Sequence, residues 1–125
     1  FGMLDMAWHT ITEPYTGDVM AFEQKAIAPT QVMPVVEGTA MGPAFTHIFS
    51  GGYATGYYGY KWAEVLAADA YSYFKEKGIF SEEVSTKFRK EVLEQGGHKH
   101  PMELYQNFRG HKPQTKALID QMNLE

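Results

Sequence analysis

Apolar residues recur at helical spacing through most of this chain, and no stretch alternates apolar and polar positions in the manner of a half-buried strand. Leu4 and Trp8 predict the last turns of a helix over about Phe1 to Trp8, with Thr-Glu-Pro close behind. Val19, Phe22, Ala26 and Ile27 share one face of a second helix from about Asp18 to Ala28, which Pro29 stops. The longest pattern runs from about Thr55 to Lys77, roughly 33 Å of helix, with Gly78 placed as its C-terminal cap. There Trp62, Leu66, Ala70, Tyr73 and Phe74 form an apolar stripe, and Lys61, Glu64, Ser72, Lys75 and Glu76 lie towards the other side. Tyr57, Tyr58, Tyr60, Val65 and Tyr71 widen the apolar surface beyond one stripe, which predicts packing on more than one side against protein outside this chain. Ser81 caps a further helix whose first turn holds Glu82 and Glu83 and which ends at Gly96-Gly97. Pro101 opens a helix through Phe108, and Pro113 another through about Met122. The expected fold is all-α and multi-helical, without repeats.

Between Pro29 and Phe45 three prolines and two glycines break the helical pattern. Loops of about ten residues or more inside compact domains tend to be functional or mobile. A short turn from Pro43 carries Phe45 to Phe49 and ends at Ser50-Gly51-Gly52. Here begins the densest constellation in the chain: His47 to Tyr60 holds one histidine, four tyrosines and four glycines in fourteen residues. A phenol keeps its proton at neutral pH and is therefore a donor, and several donors converging on a point can bind a peptide carbonyl or a developing oxyanion. Tyrosines at a helix start also serve as core residues with one satisfied hydroxyl, and glycines as simple turn residues. The residues alone leave both readings open.

Composition narrows the classes. With 44% apolar and 21% charged residues among 125, and a net charge of −4 without a basic block, the chain is an ordinary globular one with no electrostatic footprint for nucleic acid or an anionic membrane. The absence of cysteine removes disulfides, thiolate zinc sites and cysteine nucleophiles together, and it fits cytosol and periplasm alike. No apolar run approaches the length of a transmembrane helix. The first residues open inside an amphipathic pattern, as the cut end of a longer protein would. None of His9, His47, His98, His100 and His111 has a histidine four positions away, so no His-Glu-x-x-His helix is present. His98-Lys99-His100 reads as a solvated loop, Arg109 as a structural carboxylate partner or cap, and Glu64 and Asp69 as surface or helix-pair residues.

The run Phe45-Thr46-His47-Ile48-Phe49-Ser50-Gly51-Gly52-Tyr53-Ala54-Thr55-Gly56-Tyr57-Tyr58-Gly59-Tyr60-Lys61-Trp62-Ala63-Glu64 closely resembles the C-terminal signature of the family that includes thimet oligopeptidase, neurolysin, oligopeptidase A and bacterial dipeptidyl carboxypeptidase. The likeness continues through Gly78-Ile79-Phe80, Gly96-Gly97, Pro101-Met102-Glu103-Leu104-Tyr105 and Phe108-Arg109-Gly110-His111-Lys112-Pro113, and upstream through Phe1 to His9. It implies that residues 1–125 are the C-terminal segment of a larger helical zinc metallopeptidase domain cleaving short peptides, with a channel-lining loop over about 29–56 and a long helix over about 55–77. The zinc ligands and the general base would then lie before Phe1, and this segment alone would bind no zinc and be inactive. By the same resemblance Tyr60 is the tyrosine that hydrogen-bonds the tetrahedral oxyanion. His47, Tyr53 and Tyr57 contact substrate, Gly51, Gly52 and Gly56 give mobility and close approach, and Tyr58 points into the core. The implied partners are a short peptide and the preceding part of the same enzyme, with dimerisation of an isolated segment a further expectation. The cytoplasm is the favoured compartment and the periplasm the alternative. The competing expectation is a helical peptide-binding module without catalysis.

Overall fold

The computed structural model describes residues 1–123. The chain divides into two compact units, Phe1–Tyr60 and the residues from Lys61 onward. Among the described residues every regular element is helical, and no helix is long and apolar enough to cross a membrane.

The first unit holds α1 (Gly2–His9), α2 (Val19–Ile27) and the single turn α3 (Thr46–Phe49), with 3-10 turns at Ala28–Thr30 and Gly42–Ala44. Asp18 starts α2 because its carboxylate accepts the Ala21 N–H at 3.0 Å. Leu4, Phe45 and Ile48 form the core, with Trp8, Ala26, Ile27 and Tyr57 packed against it. The loop that the prolines predict is shaped by Glu23, a buried carboxylate on α2. Its two oxygens accept the N–H groups of Met41 and Gly42 at 2.7 and 2.8 Å. A Cβ on residue 42 would lie 2.1 Å from the Glu23 oxygen, so the clamp requires glycine there.

The second unit is built on α4 (Gly59–Lys77), whose first two residues belong to the first, with α5 (Glu82–Phe88), α6 (Pro101–Arg109) and α7 (Lys116–Gln121). Ser81 caps α5 through its hydroxyl, and a π-helical turn, Arg89–Leu93, extends it. Pro101 takes the first position of α6 as the sequence predicts. His100 is not a free loop residue, since its ring nitrogen accepts the Met102 N–H, and Gly110 ends the helix in the left-handed conformation. The last helix begins at Lys116 and not at Pro113, because the Gln114 N–H turns inward to Asp69 at 3.2 Å. Phe108 is fully buried, its ring meeting those of Phe88 and Tyr73 at 5.1 and 5.4 Å.

Asp69 organises this unit. Expected on a surface or in a helix pair, it is 3% exposed. It accepts the Tyr105 hydroxyl at 2.8 Å and faces Arg109 Nε at 3.4 Å, while Arg109 also reaches Ser72 and Glu76. Ser72, placed from sequence on the side away from the apolar stripe, thus meets α6 there through Arg109. The apolar stripe on α4 lines a cavity of about 450 Å³ through Trp62, Leu66 and Ala70, opposite Phe88, Val92 and Met102.

Candidate functional site

The segment from His47 to Tyr60 folds as a chain of tight turns. After α3, Tyr53 donates its N–H to the His47 carbonyl at 3.2 Å, Gly56 to Tyr53 at 2.8 Å, Gly59 to Gly56 at 3.0 Å and Tyr60 to Tyr57 at 3.2 Å. The long helix therefore starts at Gly59, four residues later than its sequence pattern predicts, since the residues from Thr55 to Tyr58 are spent on turns. Two glycines are required by geometry. A Cβ on Gly51 would meet the His47 Cα and carbonyl oxygen at 2.9 Å, and Gly52 has φ +81°. Gly56 is under no such constraint, because a Cβ there would make ordinary contacts at 3.5 Å or more.

These turns gather four rings. His47 lies 5.5, 6.0 and 6.4 Å from the ring centres of Tyr53, Tyr57 and Tyr60, edge-on to each. Tyr53 and Tyr60 stack at 5.2 Å, and Tyr57 meets Tyr60 at 5.0 Å. Tyr57 is anchored in the core by Phe45 at 5.1 Å and by Phe1 at 5.9 Å, while His47, Tyr53 and Tyr60 stand exposed. The Tyr60 phenol is held above its ordinary value. Hydrogen bonding with the Tyr53 phenol is the largest cause, followed by desolvation and by the Coulombic influence of Tyr53 and Tyr57. A phenol raised in this way stays protonated, and remains a donor, well above neutral pH. Tyr58 does not enter the core. It is 62% exposed, because the turn at Tyr57 directs the neighbouring side chain outwards.

One residue that the sequence did not single out shapes this site. Asp5, on α1, is 0% exposed, and its two carboxylate oxygens accept the N–H groups of Thr55 and Tyr57, each at 2.9 Å. His9 lies on the same carboxylate, with Nδ1 2.8 Å from one oxygen and 2.9 Å from the Asp5 carbonyl. Between the two clamped amides Thr55 sits at φ +59°. For a β-branched residue that conformation costs about 1–3 kcal/mol and persists only where the surroundings impose it. The available signal was an acid at the edge of the face that Leu4 and Trp8 form on α1.

Among the described residues no three histidine or acidic side chains converge so as to hold a metal ion. The ring cluster offers a single imidazole and otherwise only protonated phenols, short of the three ligands a catalytic zinc takes, so these residues do not fit a zinc site.

A profile of peptidase family M3 matches residues 1–124. Oligopeptidase A of Salmonella typhimurium is 43% identical over 129 aligned residues, which take in all of this chain and 18% of that protein. Dipeptidyl carboxypeptidase of the same organism is 37% identical over 98% of this chain and 18% of its own length. Probable cytosolic oligopeptidase A of Arabidopsis thaliana is 38% identical over 95% of the chain, again 18% of the relative. The chain thus spans less than a fifth of each of these relatives. It belongs to peptidase family M3.

Proposed function

We propose that this member of peptidase family M3 is the C-terminal segment of a zinc-dependent peptidase acting on short peptides. In this reading it contributes side chains that contact substrate and one that stabilises the oxyanion. The observation that carries the reading is the convergence of His47, Tyr53, Tyr57 and Tyr60 on one cluster with three of the rings exposed. The zinc and the group that activates water are assigned to the preceding part of the enzyme, consistent with a chain that covers 18% of its relatives. The metal would polarise the scissile carbonyl and supply the attacking water.

Within that frame Tyr60 donates its hydroxyl to the oxygen on which negative charge builds up. A phenol carries its proton at neutral pH, as this role requires of the resting enzyme. His47, Tyr53 and Tyr57 contact the peptide, and Gly51 and Gly52 allow the backbone its tight course beneath them.

Steady-state kinetics on a quenched peptide, with the whole enzyme, test the assignment. Tyr60→Phe keeps the ring and removes one donor, so kcat is expected to fall by about 10²- to 10³-fold with KM little changed. Tyr58→Phe, on an exposed side chain outside the cluster, should leave both constants unaltered. An unchanged kcat for Tyr60→Phe, or equal losses for both variants with intact melts, would remove Tyr60 from the chemistry. The segment by itself is expected to hold no zinc after dialysis, and stoichiometric tightly bound zinc would overturn the placement of the metal site outside it.

A further inference from the structure

We propose that Asp5 is a positioning residue for the tyrosine cluster: its carboxylate locks the Thr55–Tyr57 turn into the one backbone shape that presents Tyr57 and Tyr60 together. The proposal rests on the function proposed above for those tyrosines, but the clamp itself is a property of this chain.

Three observations meet at one place. Asp5 is wholly buried yet carries no side-chain partner on the tyrosine segment, only the two backbone N–H groups of Thr55 and Tyr57. The residue between the carboxylate and the glycine at 56 is a threonine at φ +59°, where glycine or asparagine would be at ease. Such a conformation relaxes unless something outside the turn holds it, and Asp5 is that restraint. The clamped amide of Tyr57 also begins the hydrogen-bonded path to the catalytic candidate, because the Tyr57 carbonyl accepts the Tyr60 N–H at 3.2 Å and the two rings meet at 5.0 Å. A carboxylate suits the task because it accepts at two oxygens and donates at neither. His9 Nδ1 lies 2.8 Å from the oxygen that accepts the Thr55 N–H. Asp5 lies on a helix while the tyrosines lie on turns, so the rigid element sets the geometry of the irregular one.

Asp5→Asn in the whole enzyme keeps the shape but turns one acceptor into an NH₂ group that faces a backbone N–H, so one of the two bonds is lost. A displacement of about 1 Å at a reacting group can cost about 10²-fold. The expected result is a fall in kcat of about 10- to 100-fold, with KM within about threefold. Amide exchange at Thr55 and Tyr57 should accelerate by about tenfold or more. Adding Thr55→Gly to Asp5→Asn should restore part of the lost kcat, because glycine keeps a positive φ without a restraint. A purely structural role for Asp5 predicts no such rescue. Thr55→Pro approaches the clamp from the exposed side, leaving α1 and Asp5 intact. It forces φ to a negative value, removes the N–H given to Asp5 and should lower kcat as Asp5→Asn does, so the test survives if Asp5→Asn fails to fold.

An unaltered kcat in Asp5→Asn or Thr55→Pro, unaltered exchange at Thr55 and Tyr57, or no gain from Thr55→Gly would each overturn the proposal. If the unmodified enzyme cleaved no peptide, the function would fail by itself, and the exchange measurements would still decide the clamp.

Discussion

Each unit is organised around a buried aspartate, and the two aspartates do opposite things with their oxygens. On the tyrosine segment Asp5 takes only backbone N–H groups and no side chain. Asp69 draws its partners chiefly from side chains, taking the Tyr105 hydroxyl and the Arg109 guanidinium and, through Arg109, engaging Ser72 and Glu76. The tyrosines of the first unit are thus not bound to the carboxylate that shapes their segment, whereas Tyr105 in the second is. That contrast separates a candidate site from a structural polar network more sharply than the frequency of tyrosine or arginine does, since both regions are rich in polar aromatics.

The largest effect that can break the comparison is at Asp69. Asp69→Ala leaves Arg109 and the Tyr105 hydroxyl without their buried partner, and breaking a buried pair from one side costs about 3–5 kcal/mol. Denaturant unfolding of the chain should show a loss of that order with no effect on the geometry of the ring cluster. A loss below about 1 kcal/mol would mean that the network is incidental.

Next in size is the pair Gly51→Ala and Gly56→Ala. The first forces a methyl group against the His47 backbone and should cost about 1–3 kcal/mol, and the second has room and should be nearly neutral. Equal effects would show that the turn after α3 is looser than its contacts indicate.

The smallest effect is at Tyr105, whose hydroxyl donates to Asp69. Tyr105→Phe should cost about 1.5 kcal/mol, the lower end for a bond to a charged acceptor, since Asp69 keeps its other partners. Burial, and after it the bond to Asp69, push the Tyr105 phenol up from its ordinary value. The folded state therefore favours the protonated form. Its contribution is complete below about pH 10, the unfolded value, and is lost as pH rises further towards the folded value. Melts in alkaline buffers should fall more steeply for the native chain than for Tyr105→Phe, and parallel curves would contradict the assignment.

The helices were largely legible because their signals are local. Asp18 and Ser81 mark helix starts by bonds that reach three residues and Pro101 by its fixed φ, and the structure places α2, α5 and α6 close to where these residues predict them. The family was legible too, from an extended run of glycines and aromatics. What could not be read were the contacts that return from far along the chain. Nothing around Asp5 signals that its partners lie at Thr55 and Tyr57, and without that clamp the pattern from Thr55 reads as unbroken helix. Tyr58 was assigned to the core for the same reason, since its direction follows from the turn and not from a helical repeat. Asp69 was misjudged as well, since it was expected on a surface or in a helix pair and is buried. It falls with Val65 and Ala68 on the buried side of α4, and an acid in such a place requires partners.

The two carboxylate clamps of the first unit also set an order of assembly. Glu23 closes a loop to Met41 and Gly42 across 18 and 19 residues, whereas Asp5 reaches across 50 and 52. Closing the longer loop costs about 1 kcal/mol more in chain entropy, and contacts between distant residues slow folding. The Glu23 loop is therefore expected to form first. The Asp5 clamp, and with it the strained turn beneath the tyrosines, should form last and be the first to open when the unit is stressed.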